Sequence, residues 1–226
     1  MGSSGLLFSK VALLKPESVL DVGCGCGAFS IRLSPYCGKI TAVDCSQALI
    51  DRCRRENGKP NIDYTCMDGR DLRFPDNSFD LVLERATLHH VLEWQKVLDE
   101  IVRVSAKHIL VEEPLDDPRS EEKKNTMLAQ RLYLEIQREV GYSHYNYLSL
   151  NSLTGYHRER SIPIEIEVIK SDEPVDFEKF FASFGDFAEK SNRKQYWLDR
   201  LESLRQDLGG KMLCEEDIVF ISAVKP

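Results

Sequence analysis

The 226-residue sequence lacks the features that mark secreted, membrane-embedded and nucleic-acid-binding proteins. No apolar run approaches the roughly 20 residues that a membrane-spanning helix needs. The 30 basic residues are outnumbered by 37 acidic ones, and a net charge of −7 disfavours a nucleic-acid partner, whose phosphates attract a basic surface. The first residues show no basic segment followed by an apolar run and a cleavage site, so we expect no secretory signal.

The seven cysteines are odd in number and follow no spacing typical of a disulfide framework. Cys24 and Cys26, with Cys37 as a third ligand, are weak evidence for a zinc site, because such sites need three or four ligands at compatible spacing. Small side chains in a tight turn are the simpler interpretation. We therefore expect free thiols, no metal site, and a reduced, cytoplasmic protein without a membrane span.

The first half of the sequence alternates between short β-rich runs and helical patterns. Predicted strands, each bounded by Gly, Pro, Asn or Asp, comprise residues 18–22, 39–43, 62–66, 79–84 and 108–113. The clearest helix extends from Trp94 to Val104, where apolar side chains recur every three or four residues. This alternation predicts a parallel sheet with helices on both faces.

The second half carries helical patterns at 121–140 and across 176–208, and strand patterns at 162–170 and 217–224. Between them, residues 141–160 are rich in Tyr and His, and we expect an irregular segment there. Aromatic side chains with polar ends suit a lid over a small organic molecule, and long irregular stretches are often functional. The alternative is a surface segment that packs its tyrosines on a neighbouring helix.

A glycine-rich stretch, VLDVGCGCGAFS (19–30), begins within the first predicted strand. The loop after that strand lies at the carboxyl edge of the parallel sheet, where ligands of open α/β sheets bind. Its glycines allow a tight turn and a close approach of backbone to ligand. Asp44 follows the second strand, where an acid suits the two hydroxyl groups of a ribose. Loop and acid together predict a nucleoside-containing cofactor.

The glycines alone leave the kind of cofactor open, because Gly23, Gly25 and Ala28 also satisfy the dinucleotide fingerprint G-x-G-x-x-G/A. Asp21 puts a carboxylate just before the loop, where it favours a cationic ligand over a pyrophosphate. Asp68 follows the third strand in CMDGRDL, where it can accept a hydrogen bond from an adenine amino group.

With these motifs the sequence resembles the class I S-adenosylmethionine-dependent methyltransferases, through VLDVGCGCGAFS, ITAVDCSQALI, CMDGRDLRFPDNSFDLVLERATLHHV and DIVFISAVKP. It is most similar to the small-molecule branch of ubiquinone and menaquinone biosynthesis (methyltransferase type 11), whose members often carry an R-x-x-x-H-H run. Here that run is Arg85, His89 and His90. The resemblance implies an α/β, doubly wound, Rossmann-like sheet of seven strands, mostly parallel with an antiparallel last strand, and helical insertions in the C-terminal half.

The resemblance also implies an enzyme that uses S-adenosyl-L-methionine and methylates a small-molecule acceptor, and it leaves the oligomeric state open. His89 and His90 are the candidate catalytic residues, because an imidazole can act as a general base near neutral pH. The cofactor-binding residues that it implies are Asp21, Gly23, Cys24, Gly25, Gly27, Asp44, Cys45, Met67, Asp68, Gly69 and Arg85.

We expect one methyltransferase domain over residues 1–226. Its parts are a cofactor-binding core at 18–113, a lid or acceptor region at 114–160, and the last two strands with a helical insertion at 161–226. Two other functions remain open at this point. One is a non-catalytic module that binds S-adenosylmethionine or S-adenosylhomocysteine, and the other is a nicotinamide-dependent dehydrogenase that uses the same glycines.

Overall fold

The computed structural model describes residues 4–116, 118–145 and 147–225, and the predicted alternation of strands and helices is present there. The strands are β1 Ser18–Val22, β2 Lys39–Asp44, β3 Ile62–Cys66, β4 Phe79–Arg85, β5 Ser105–Pro114, β6 Ile164–Ile169 and β7 Ile218–Val224. The α-helices are α1 Ser4–Leu14, α2 Ala28–Leu33, α3 Gln47–Glu56, α4 Trp94–Val104, α5 Glu121–Glu139, α6 Leu150–Glu159, α7 Phe177–Ala188 and α8 Lys194–Leu208. None of the helices in these ranges combines the length and apolar character that crossing a bilayer requires.

The seven strands of the described ranges form one sheet in the order β3-β2-β1-β4-β5-β7-β6. Strands β1 to β5 run parallel, and β7 pairs antiparallel with both β5 and β6. The strand order reverses between β1 and β4, so the crevice outside their carboxyl ends is where a ligand of such a sheet binds. The predicted doubly wound sheet with an antiparallel last strand is confirmed.

Apolar side chains cover both faces of the sheet. Leu81 and Val82 are both fully buried and face opposite sides, because successive strand residues point in opposite directions. Val82 packs in a cluster with α4 and α6, whereas Leu81 packs in a cluster with α1, α2 and α3. A third cluster joins α5, α7 and α8, the helical insertions predicted in the C-terminal half.

The expected irregular segment at 141–160 is only partly irregular. Helix α6 begins after Ser149, whose Oγ accepts a hydrogen bond from the N–H of Ser152 at 3.1 Å and so caps the helix. Leu153 and Tyr156 of α6 are buried in the cluster with α4. Of the residues that the structure describes in this segment, only 141–145 and 147–149, before the helix, are therefore irregular.

Candidate functional site

The glycine loop follows β1, and its three glycines all have positive φ, 75° at Gly23, 54° at Gly25 and 75° at Gly27. A Cβ added to Gly23 would lie 2.1 Å from Thr87 Oγ1, so the loop packs directly on the segment after β4. A Cβ added to Gly27 would lie 2.8 Å from the hydroxyl oxygen of Tyr64. At Gly25 it would meet no atom within 4 Å, so this residue faces open space at the sheet edge.

Most of the backbone N–H groups of this loop are bonded within the protein. Those of Gly23 and Cys24 donate to the carbonyl oxygen of Val43 at 2.8 and 2.9 Å. The N–H of Gly25 donates to Asp44 Oδ2 at 3.0 Å. The loop therefore presents a carboxylate at its open edge, and these N–H groups are not free to bind a pyrophosphate.

Asp44 ends β2 at the position that the sequence predicts for a ribose ligand. Its second oxygen, Oδ1, accepts a hydrogen bond from the N–H of Ser46 at 2.9 Å, which fixes the side chain beside the loop. A carboxylate oxygen has more than one lone pair, so both oxygens can accept further hydrogen bonds. The structure brings Asp44 to the loop as predicted.

Asp21 is almost fully buried in β1, and Ser30 Oγ donates a hydrogen bond to its Oδ2 at 2.5 Å. Burial raises the pKa of Asp21 to about 6, although the Ser30 hydrogen bond and the positive charge of Arg85 oppose the rise. The guanidinium of Arg85 lies 4.9 Å from the ring centre of Phe29 in α2. Asp21 and Arg85 therefore interact at the crevice between β1 and β4.

Asp68 follows β3 with an exposed side chain, and its carboxylate is already engaged. Arg70 donates to it at 2.7 Å and holds the pKa of Asp68 below its usual value. Arg70 also reaches Glu93 at 3.2 Å. The adjacent Gly69 packs tightly, because an added Cβ would lie 3.2 Å from Val22 Cγ1.

The remaining predicted cofactor residues lie in the loops that follow the same strands. Cys24 is buried in the glycine loop, and burial followed by the charge of Asp21 raises the pKa of its thiol above the usual range. Cys45 is exposed after β2, and Met67 is half-buried after β3. All seven cysteines are unpaired in the structure.

Two buried glutamates stand at the carboxyl ends of β4 and β5, and the sequence analysis had assigned neither to the site. The N–H of Thr87 donates to Glu84 Oε1 at 2.5 Å and to Glu113 Oε1 at 2.7 Å. His89 Nδ1 lies 2.6 Å from Glu113 Oε2. Burial and the neighbouring Glu113 raise the pKa of Glu84 well above its ordinary value. Burial alone would also raise the pKa of Glu113, but the hydrogen bond from His89 holds it below its ordinary value.

His89 and His90 lie against a third histidine, His144, which precedes α6. The ring centres are 4.3 Å apart between His89 and His90 and 5.0 Å between His89 and His144. The N–H of Tyr145 donates to the carbonyl oxygen of His89 at 2.9 Å and ties the two segments together. Burial lowers the pKa of His144 to about 3 and also lowers that of His90, so both rings are neutral near pH 7.

Sequence reasoning found the aspartates and the histidine pair but missed the groups that position them. Glu113 was visible as the last acid of a predicted strand, VEE, at the edge where ligands bind. The contact of Thr87 with the glycine loop and the approach of His144 depend on pairings between distant segments, which no local pattern reveals.

Part of the chain is similar to known methyltransferases. Residues 20–108, from β1 into β5, match the family model described as "Methyltransferase domain". The demethylmenaquinone methyltransferase of Clavibacter sepedonicus is 35% identical over 95 residues, which are 42% of this chain and 39% of that relative. A ubiquinone biosynthesis O-methyltransferase of Coxiella burnetii is 37% identical over 87 residues, 38% of this chain and 37% of that relative. These matches span only about two-fifths of each relative's length.

The whole fold is shared with solved structures. The YcgJ protein from Bacillus subtilis superimposes with a TM-score of 0.73 and covers 99% of this chain and 97% of its own, at 19% identity. The family match contains every cofactor-binding residue that the sequence predicts, as well as His89 and His90. The predicted resemblance to methyltransferases is confirmed: residues 20–108 match the methyltransferase-domain model, and the fold of the chain is that of solved methyltransferase-like structures.

Proposed function

We propose that the protein transfers the methyl group of S-adenosyl-L-methionine to a small-molecule acceptor. The observation that carries the proposal is the Asp44 carboxylate at the end of β2, which is held beside Gly25 of the loop that follows β1. A carboxylate there suits ribose hydroxyls, and the nearby Asp21 favours the positively charged donor. Asp44 would suit the ribose of either cofactor, but Asp21 disfavours the pyrophosphate of a nicotinamide dinucleotide, which makes a dehydrogenase the weaker candidate.

Methyl transfer from a sulfonium is an in-line displacement on an activated group, so the protein mainly aligns the acceptor and excludes water. In this proposal Arg85 binds the carboxylate of the donor, and Asp68 with Gly69 approaches the adenine. Met67, Cys24 and Cys45 would line the same pocket.

His89 and His90 would lie on the acceptor side of the pocket. A general base is needed only where the acceptor enters protonated, so their role as bases depends on the acceptor. The buried Glu113 orients His89 in either case, because it accepts the hydrogen bond of the Nδ1 nitrogen.

The small-molecule nature of the acceptor is supported by the names of the two quinone-pathway relatives and by the aromatic segment before α6. Tyr147 packs edge-on against His89, with ring centres 5.0 Å apart. We therefore propose residues 141–149, within the expected lid region 114–160, as the cover of the acceptor. The single-domain division into 18–113, 114–160 and 161–226 remains part of this proposal. Seven unpaired thiols favour a reducing compartment, so we propose a cytoplasmic protein.

Calorimetric titration with S-adenosylhomocysteine and with NAD tests the cofactor. We expect binding of S-adenosylhomocysteine alone, and we expect Asp44→Ala to weaken it by about 1–3 kcal/mol because a charged acceptor is lost. Asp63→Ala is the matched control, since Asp63 lies on the neighbouring strand β3 and pairs with Lys39 on the surface. Binding of NAD alone, or unchanged affinity in Asp44→Ala, would contradict the assignment.

Incubation with methyl-labelled donor and a metabolite extract then separates an enzyme from a binding module. A labelled small molecule, absent with Asp44→Ala, supports the methyltransferase. Tight binding of S-adenosylhomocysteine without any labelled product across extracts would favour the non-catalytic module instead.

A further inference from the structure

The histidine cluster has an arrangement that acid–base chemistry alone does not explain. One ring nitrogen from each of His89, His90 and His144 lies within 4.8 Å of the others. His89 is buried in the 3₁₀ turn after β4, and His144 comes from the segment before α6. The chain has five histidines, and three of them meet at this one place.

Each of the three imidazoles has an oxygen partner at Nδ1. For His89 it is the carboxylate of Glu113 at 2.6 Å, and for His90 it is the carbonyl oxygen of Ser143 at 2.7 Å. For His144 it is the amide oxygen of Gln137 at 2.6 Å. An oxygen acceptor at Nδ1 requires the proton on that nitrogen, so each neutral ring carries a lone pair on Nε2.

The three rings, each with an electron-pair donor at Nε2, therefore lie close together. His144 Nε2 is buried and has no hydrogen-bond partner among the residues that the structure describes. An unpartnered buried nitrogen is costly, and converging lone pairs repel each other unless a cation lies between them. Histidines that bind metals typically donate their second ring N–H to a carboxylate, a carbonyl group or water.

We propose that His89, His90 and His144 form a binding site for a divalent transition-metal ion through their Nε2 atoms. Imidazole ligands suit Zn²⁺ and its first-row neighbours. Tetrahedral zinc with Zn–N bonds of 2.0–2.1 Å places ligand nitrogens about 3.3 Å apart, so the rings need only small rotations from the present separations. Three histidines leave a fourth position open, which is the pattern of catalytic rather than structural zinc.

This site differs from the metal site that the sequence analysis weighed and set aside. The rejected ligands were Cys24, Cys26 and Cys37, and the sequence analysis expected no metal at all. His144 stands 54 positions after His90, so only the fold brings the ligands together. The site also lies partly outside the matched methyltransferase stretch, which ends at residue 108.

The site lies next to the donor loop. Thr87 Oγ1 is 3.4 Å from the carbonyl oxygen of Gly23, and His89 follows two residues later, at most about 7 Å along the chain. This part of the inference rests on the proposed function. The open position would take an acceptor hydroxyl or thiol, and the metal would lower the pKa of that group. The proton of the acceptor would leave to solvent, and the acceptor–methyl bond would form as the sulfur–methyl bond breaks.

The test uses Co²⁺ as a spectroscopic probe in the full chain after treatment with a chelator. We expect one equivalent of Co²⁺ to bind with the visible absorption of a four-coordinate ion, and Zn²⁺ to displace it. His90→Ala and His144→Ala should each weaken binding at least 100-fold, and Gln137→Leu by about 10–100-fold through the loss of ring orientation. His108→Gln is the matched control, since His108 lies near the opposite end of β5, and it should bind as the parent chain does.

Thermal unfolding in chelator, recorded for each variant, identifies any variant that fails to fold. If one histidine variant fails to fold, the other still tests the site. Failure of the parent chain to bind Co²⁺, an affinity in both histidine variants equal to that of the parent chain, or a thiolate charge-transfer band would overturn the proposal. Titration of the same samples with S-adenosylhomocysteine keeps the outcomes separate. Donor binding without metal binding refutes the metal site alone, and metal binding without donor binding refutes the proposed function alone.

Discussion

Replacing Gly23 with alanine should destabilise the fold strongly, for two reasons that can be separated. The positive φ of 75° costs an L-residue roughly 1–2 kcal/mol. The added methyl group would also lie 2.1 Å from Thr87 Oγ1, 2.4 Å from Cγ2 and 2.7 Å from Cβ. A rotation of Thr87 can move Oγ1 and Cγ2 away but not Cβ, so backbone must shift. Overpacking of this kind costs about 1–3 kcal/mol, which brings the expected loss to about 2–5 kcal/mol.

Gly25→Ala is the matched control, because Gly25 lies in the same loop with φ 54° and has no atom near the added Cβ. It should lose only the conformational part, about 1–2 kcal/mol. Urea unfolding gives the free energy of unfolding of each variant, and the difference between the two values is the energy of the contact with Thr87. In a domain of this size each kcal/mol lowers Tm by about 2–4 °C.

Thr87→Gly in the Gly23→Ala background should recover most of the contact energy, since it removes all three close atoms. Equal stabilities for Gly23→Ala and Gly25→Ala would refute the close approach of the loop to Thr87. On the proposed function, Gly25→Ala should weaken the binding of S-adenosylhomocysteine more than its small loss of stability would suggest, because Gly25 faces the open edge of the site.

Three further outcomes are expected. Burial raises the pKa of Asp21 from 3.8 to about 6, so the protonated carboxyl stabilises the folded state below pH 4. This part of the free energy of unfolding is lost as the pH rises through 6, and Asp21→Asn should not show that loss. Urea unfolding from pH 4 to 7 should show the variant gaining about 3 kcal/mol on the parent chain, and parallel curves would contradict the burial argument. Iodoacetamide should modify the exposed Cys26 well before the buried Cys24, as peptide mass spectrometry can verify. S-adenosylhomocysteine should slow amide hydrogen exchange in residues 141–149 more than in α6 (Leu150–Glu159), and equal slowing would argue against a cover that closes at the site.

The regular elements were predictable because their patterns are local. Strand β1 has the predicted limits, 18–22, and helix α4 has the predicted limits, 94–104. Helix α4 follows from the period of its buried side chains and β1 from a short, continuous buried run, and a sequence displays both directly. Helix α6 was missed because its sequence, LNSLTGYHRE, contains Asn, Ser, Thr and Gly, which are weak helix formers, and because its buried stripe is short, although Ser149 stood at its start as a capping residue.

The site was predictable where a residue follows directly from a strand end, and not where two segments meet. Asp44 could be placed because parallel strands end at one edge of a sheet. The engagement of Asp68 by Arg70 was within reach, since the two are only two residues apart. The contact of Gly23 with Thr87 depends on the pairing of β1 with β4, and that pairing crosses more than sixty residues.

The placement of these groups separates two sides of the site along the sheet. The predicted donor ligands lie at or after the ends of β1, β2 and β3, except Arg85 at the end of β4, and all of them lie within the matched methyltransferase stretch. The ends of β4 and β5 carry the Glu84–Glu113 pair, and the segment before α6 adds His144, which lies beyond that stretch. Glu113 and His144 lie outside the matched stretch, and neither is among the predicted donor ligands. On the proposed function, substitutions at His144 or Glu113 should therefore alter the use of the acceptor without abolishing binding of S-adenosylhomocysteine, as titration of each variant can verify.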